Sequence, residues 1–300
     1  MNDKIRLYCG DCLEIMPAID VNSIHAIITD PPYFLDGLDD KWKKGKIDKT
    51  DNKGKVVAGM PVGMKFDPAQ GERLKTFIKK TAIQMHRVLK PGGFCIMFSF
   101  PRLVHQAMAG LEMAGFEIRD QLVWRFHNQA QAKAFTVKHF IDKMDKPDAW
   151  KEKAKGIVGD KRTPQLRPQF ESIIVAQKPK KGTMVENYLD HGTGLINWSS
   201  TVVEKTPSTV IEMDKKPVKG HLTAKPVALV QHLVELFSSP GQVILDPFLG
   251  SGTTAIAAHK TDRMCIGIEI DADYIEMSAE RLRDLFSSEE RSDSEEDVME

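Results

Sequence analysis

VILDPFLGSGTTAIAAH (243–259), followed closely by CIGIEI (265–270), is the stretch on which the reading of this chain turns. VILDPF (243–248) reads as a buried strand, Gly250-Ser251-Gly252 as a tight turn, Gly252 to His259 as a helix, and 265–270 as a second strand carrying Glu269 near its end. Strand, glycine turn, helix and strand in this succession form a βαβ unit, which belongs to a parallel sheet. Glycines allow the backbone to approach a ligand at a helix N-terminus, and an acid at the tip of the next strand can accept hydrogen bonds from ribose hydroxyls. The spacing suits a nicotinamide dinucleotide as well as S-adenosylmethionine, so the unit alone leaves both open.

The same alternation extends outward in both directions. Towards the N-terminus lie a strand at IRLYC (5–9), a short helix at CLEIMPAI (12–19), and a strand at AIIT (26–29) that ends in Asp30-Pro31-Pro32-Tyr33. A helical stripe at 72–89 stops at Lys90-Pro91-Gly92-Gly93, before a buried strand at FCIMFSF (94–100). A helix at 103–114 and a strand at 116–126 follow, and SIIVAQ (172–177) reads as the antiparallel partner of that strand. A Gly, Lys and Thr-rich connector leads to a helix opened by Lys225-Pro226, and the last helix, N-capped by Asp271, runs to Phe286. The expected class is therefore α/β, a doubly wound sheet with helices on both faces. Its expected parts are 1–126 with a mobile loop at 34–70, an excursion at 127–170, the rest of the sheet at 171–286, and a disordered acidic tail at 287–300.

Composition sets the outer limits. The 300 residues are 41% hydrophobic and 28% charged, as in a soluble globular protein, and no apolar run approaches the roughly 20 residues of a membrane span. A cytoplasmic protein with reduced thiols is expected, because four cysteines are too few to staple such a chain. Cys9-Gly10-Asp11-Cys12 has CxxC spacing, yet no second pair accompanies it, and no metal site is expected. The net charge of zero conceals segregation. Residues 125–181 hold fourteen Lys and Arg against six Asp and Glu, seven lysines fall between Lys41 and Lys55, and the tail from Ser287 carries seven acids and one arginine. Such basic stretches suit a polyanion, with Lys41, Lys43, Lys44, Lys133, Lys138, Lys151, Lys153, Lys155 and Arg162 as candidate contacts to nucleic-acid phosphates.

Asp30-Pro31-Pro32-Tyr33 narrows the chemistry. A nucleobase amine is a poor nucleophile, because its lone pair is delocalised into the ring. A catalyst must accept hydrogen bonds from its N–H groups while nitrogen becomes tetrahedral. A rigid Asp-Pro-Pro turn offers the Asp30 carboxylate and the Pro31 carbonyl as two fixed acceptors, and Tyr33 offers a stacking face. If 243–246 and 26–29 are neighbours across the switch point of the sheet, the Gly250 turn and this tetrapeptide lie together at the strands' carboxyl ends.

In these residues and their order the chain resembles the β group of DNA amino-methyltransferases, the N6-adenine and N4-cytosine enzymes whose catalytic motif precedes their cofactor motif. The likeness runs from Ile5 to Leu285. It implies a Rossmann-like methyltransferase sheet in circularly permuted order, with S-adenosylmethionine as cofactor. It implies that Gly10-Asp11-Cys12 holds the cofactor's adenine and that TDPPY (29–33) is the catalytic loop, with Asp30 also near the cofactor. It further assigns to the cofactor His221, Thr223 and Lys225 of HLTAKPVALVQHLV (221–234), Asp246, Phe248, Gly250, Ser251, Gly252 and Thr253 of DPFLGSGTT (246–254), and Glu269. The 34–70 loop and the 127–170 excursion stand where the family keeps a mobile loop and target-recognition sequence. N6 of adenine is the expected target, because Ser more often than Asp leads the motif in N4-cytosine enzymes. Cytosine C5 chemistry is disfavoured, since no cysteine here follows a proline. A homodimer and a cognate restriction endonuclease are the further partners that the resemblance suggests.

Overall fold

The structure, a computed structural model, describes residues 4–33, 69–127, 136–163, 166, 168–203, 206–214 and 224–296, with side chains up to 288. The strands are β1 (Ile5–Cys9), β2 (Ile24–Thr29), β3 (Leu89–Ser99), β4 (Glu117–Arg125), β5 (Phe170–Gln177), β6 (Val210–Glu212), β7 (Val243–Asp246) and β8 (Met264–Glu269). They form one sheet in the order β1-β8-β7-β2-β3-β5-β4-β6. The five strands from β1 to β3 in that order are parallel, and β5 lies antiparallel between β3 and β4. The expected adjacency of 26–29 and 243–246 is present, with Ala26 opposite Ile244 and Ile27 opposite Leu245.

The helices are α1 (Cys12–Ile15), α2 (Ala69–Val88), α3 (Val104–Glu112), α4 (Val137–Asp142), α5 (Asp148–Val158), α6 (Met184–His191), α7 (Val227–Phe237), α8 (Thr253–Lys260) and α9 (Ala272–Glu296). Successive strand side chains point to opposite faces, and both faces are covered, which is why the central strands read as unbroken apolar runs. On one face Leu229, Leu233 and Val234 of α7 pack with Ile28, Ile96, Phe98 and Ile244. On the other, Leu74, Ile78 and Met85 of α2 and Leu111 of α3 pack with Ile27, Met97, Ile174 and Leu245.

Three elements differ from the sequence reading. Lys90-Pro91-Gly92-Gly93 does not separate helix from strand: β3 begins at Leu89 and absorbs the four residues as a bulge, pairing Leu89 with Ile24 and then Phe94 with Ala26. The connector after 177 contains α6, opened by a capping box in which Thr183 and Glu186 satisfy each other's backbone N–H groups. The last helix continues past Phe286 through Glu296, where no Gly or Pro stops it and Glu and Arg propagate helix well. In the 127–170 excursion, α4 and α5 pack on each other, and an isolated bridge joins Thr136 to Arg162. Among the described residues no helix is long and apolar enough to cross a membrane.

A titratable group lies within the sheet. His25 of β2 accepts the Val243 N–H at Nδ1 (3.1 Å) and has Lys90 Nζ 2.8 Å from Nε2. Burial, and then the charge of Lys90, lower its pKa from 6.5 to about 4. Protonation would remove the acceptor for Val243 and set a second cation beside Lys90. Between those two values the unfolded chain binds the extra proton, so the stability His25 contributes above pH 6.5 is lost as pH falls towards 4. Denaturant midpoints at pH 7.5 and pH 5 should therefore differ more for the wild type than for His25→Gln. An equal pH response of the two proteins would contradict this.

Candidate active site

The site forms where β2, β7 and β8 end together. Thr29, the last residue of β2, donates its hydroxyl to Asp246 Oδ1 (2.7 Å), and Thr254 of α8 donates to Oδ2 (2.6 Å). The Phe248 N–H adds a third hydrogen bond at 3.1 Å. Burial raises the Asp246 pKa to about 6 against these hydrogen bonds. Asp246 thus ties the end of β2 to the glycine turn, and both oxygens are occupied by the protein itself.

The turn is built for close approach. Gly252 has φ +81°, and a Cβ there would lie 2.8 Å from Ser278 Cβ of α9, so backbone strain and packing both demand glycine. Glu269 closes the loop from the end of β8: one carboxylate oxygen accepts the Gly250 N–H (2.8 Å) and the other the Asp271 N–H (3.0 Å). Asp271 then caps α9 through the Asp273 N–H (2.9 Å), as the sequence predicts. From α9, Ser278 donates to Gly250 O (2.9 Å), and Arg281 donates to the Ser251 carbonyl, to Ser251 Oγ (3.1 Å) and to Thr253 Oγ1 (3.4 Å). Ser251 and Thr253 are therefore held from behind, by a residue the sequence reading did not single out. Phe77 of α2 packs on Phe248 with ring centroids 5.6 Å apart.

Asp11 lies beside the same loop, because β1 pairs with β8 and the Gly10 N–H donates to the Glu269 carbonyl (2.9 Å). Its carboxylate caps α1 at the Leu13 N–H (2.8 Å). Cys12 is buried, and burial together with the neighbouring Asp11 pushes its thiol up to about 12, which leaves it a neutral packing group.

Asp30 emerges from β2 opposite this loop. Tyr33 donates its hydroxyl to Asp30 Oδ1 (2.5 Å), and the Lys225 ammonium pairs with Oδ2. Pro31 is buried and Pro32 exposed. Lys225 also lies 3.2 Å from Glu171 Oε2 and 5.0 Å from the centre of the Phe98 ring. Burial by itself would lower the Lys225 pKa, but Asp30 and then Glu171 more than offset it, and the ammonium is held above the usual lysine range. Burial, with Asp30 and Glu171 adding to it, holds the Tyr33 phenol well above its ordinary value, so it remains a donor. Tyr33 stands near Phe100, with centroids 6.2 Å apart. Asp30, Tyr33, Lys225, Asp246, Phe248, the Gly250 turn, Glu269 and Asp11 thus gather along one edge of the sheet.

Of the other expected residues, Lys41, Lys43, Lys44, Lys133, His221 and Thr223 lie outside the described residues. On the excursion, Lys155 is paired with Asp142 (2.7 Å) and Glu152 (2.9 Å), and Lys138 with Asp160 (3.4 Å). Arg162 joins the bridge to Thr136. Among the described residues no ion pair involves Lys151 or Lys153, both on α5.

The sequence profile of a DNA methylase family matches residues 24–280. The type II methyltransferase M.HindIII of Haemophilus influenzae is 28% identical over 307 aligned positions, which cover 92% of this chain and 94% of that protein. The DNA adenine methyltransferase YhdJ of Escherichia coli K12 is 26% identical, over 94% of this chain and 83% of its own length. Among solved structures, the cytosine-N4-specific PvuII DNA methyltransferase superposes with a TM-score of 0.58 at 15% identity, covering 92% of this chain and 86% of that one. The M1.HpyAVI complex with SAM gives 0.54 at 20% identity, over 93% and 99%. At such identities the structural likeness is one of fold.

Proposed function

Because the chain belongs to the DNA methylase family of N6-adenine and N4-cytosine enzymes, we propose that it transfers a methyl group from S-adenosylmethionine to N6 of adenine in double-stranded DNA. The observation that carries this reading is the Asp30 carboxylate directly after the end of β2, beside the end of β7, the strand that leads into the Gly250 turn, which Glu269 of β8 holds closed. The names of relatives such as YhdJ support adenine as the base.

The residues present fit the methyl donor by their chemistry. Glu269 has both oxygens fixed by backbone N–H groups at a strand tip and retains lone pairs for a ribose diol. The glycine turn opens α8 and so presents backbone N–H groups at a helix N-terminus, and the carboxylates of Asp30 and Asp246 suit a neighbouring sulfonium cation. When bound, S-adenosylmethionine supplies an electrophilic methyl group. Asp11 and Cys12 are assigned to its adenine, and Phe248 and the 250–253 turn to its body.

Asp30 and the Pro31 carbonyl accept the two N–H groups of the target amine. Two successive prolines hold both acceptors in one rigid turn, so little reorganisation accompanies the reaction. Asp30 stabilises the positive charge that grows on nitrogen and can take up the proton that nitrogen sheds. Tyr33 fixes Asp30 through its hydroxyl and presents its ring to an extruded base, since an amine inside a duplex is out of reach. Digesting methylated DNA to nucleosides and weighing the product tests the assignment: N6-methyladenine is expected, and N4-methylcytosine as sole product would overturn the choice of base.

The basic excursion is assigned to DNA contact. Among the described residues Lys151 and Lys153 of α5 stand in no ion pair, whereas Lys155 is already neutralised by two acids. Replacing Lys151 and Lys153 with alanine should lower the slope of log affinity against log salt by about 0.9 for each phosphate that is no longer neutralised, and Lys155→Ala should change it less. An unchanged slope for the double variant would place DNA on another face.

A further inference from the structure

Glu171 entered no motif, yet it stands inside the proposed site. β5 runs antiparallel to β3, with Ser172 opposite Ser99, so its first residues lie at the edge where the parallel strands end. There the Glu171 carboxylate and that of Asp30 take the Lys225 ammonium between them. Lys225 is 8% exposed and Glu171 17%, so water screens this cluster poorly.

The charges define a problem. One ammonium against Asp30 alone would cancel the negative charge that the target amine needs, and it would occupy the very oxygen the amine must reach. A buried ammonium cannot simply withdraw, because leaving a carboxylate without another partner strands a charge in a poorly solvated place. Glu171 supplies that other partner at 3.2 Å, and with it two carboxylates and one ammonium keep a net negative charge in the site.

We propose that Lys225 is a placeholder for the target amine on Asp30, and that Glu171 is the positioning residue that takes over the ammonium when the base arrives. Asp30 then meets the incoming N–H group as a full carboxylate. This rests on Asp30 being the amine acceptor, as above, and it applies equally to an adenine or a cytosine amine.

The test uses the full-length protein, duplex DNA and radiolabelled S-adenosylmethionine at saturating concentrations, with single-turnover rates and both affinities measured. Glu171→Gln keeps the shape and removes the charge, so the rate should fall by about tenfold or more while both affinities stay within about twofold. Adding Lys225→Met to Glu171→Gln removes the cation that needs Glu171, and the double variant should recover much of the loss. A residue that merely supports the fold would give no such second-site recovery. A wild-type rate for Glu171→Gln, or a double variant as slow as the single one, would overturn the proposal. Should Glu171→Gln lose its cooperative melting transition, Glu171→Asp, which draws the charge back by one methylene, is read by the same criterion: a slowed rate restored by Lys225→Met supports the handover, and one left unrestored rejects it. Identification of the wild-type product reports separately on the base, so a failure of the adenine reading leaves the Glu171 result standing.

Discussion

Asp30→Ala should slow methyl transfer in a single turnover by about 10²–10³-fold, while the affinities for S-adenosylmethionine and DNA remain close to wild type. The size follows from timing. The carboxylate faces charge that develops on nitrogen only as the methyl group moves, so its loss falls on the rate and little on ground-state binding. The fold should tolerate the change, because Lys225 keeps Glu171 as a partner and the Asp246 links between β2 and the glycine turn do not involve Asp30. Asp30→Asn should be nearly as slow, since its amide carries a donor towards Lys225 or the amine. Tyr33→Phe should cost less, though more than a pure stacking role implies, because the hydroxyl donates to Asp30. Near-normal methylation by purified Asp30→Ala protein would defeat the mechanism.

The second large effect is expected at Glu269. Its carboxylate offers charge-assisted hydrogen bonding to a ribose, worth about 1.5–3 kcal/mol in all, so Glu269→Ala should weaken S-adenosylmethionine binding by roughly 10–150-fold in calorimetry. Glu269 also ties down the Gly250 and Asp271 N–H groups, so part of the loss belongs to a loosened turn. Glu269→Gln separates the two contributions. Its single carbonyl oxygen can hold one of those N–H groups, and it should bind more tightly than Glu269→Ala but less tightly than wild type. Equal affinity of wild type and Glu269→Ala, or a preference for NAD, would remove Glu269 from the cofactor site.

What sequence alone determined here was local or periodic. The glycine turn, the acid at the next strand's tip, the Asp-Pro-Pro-Tyr turn and the Asp271 cap each lie within a few residues and are stereochemically constrained, so their meaning survives without coordinates. Apolar runs covered on both faces announced the central strands and the α/β class, and the order of motifs pointed to the family. The Thr183-to-Glu186 capping box was equally legible, but a connector rich in Gly, Lys and Thr masked it. Tertiary structure decided what depends on strand order and register. Asp30 and Lys225 are 195 positions apart, and only the neighbouring ends of β2 and the chain before α7 bring them together. Glu171 reaches them because β5 runs against β3, and Arg281 braces Ser251 because α9 folds back over the glycine turn. Such partnerships leave no periodic trace in a single chain, since each depends on the packing of segments whose separation in sequence carries no information about their distance in space.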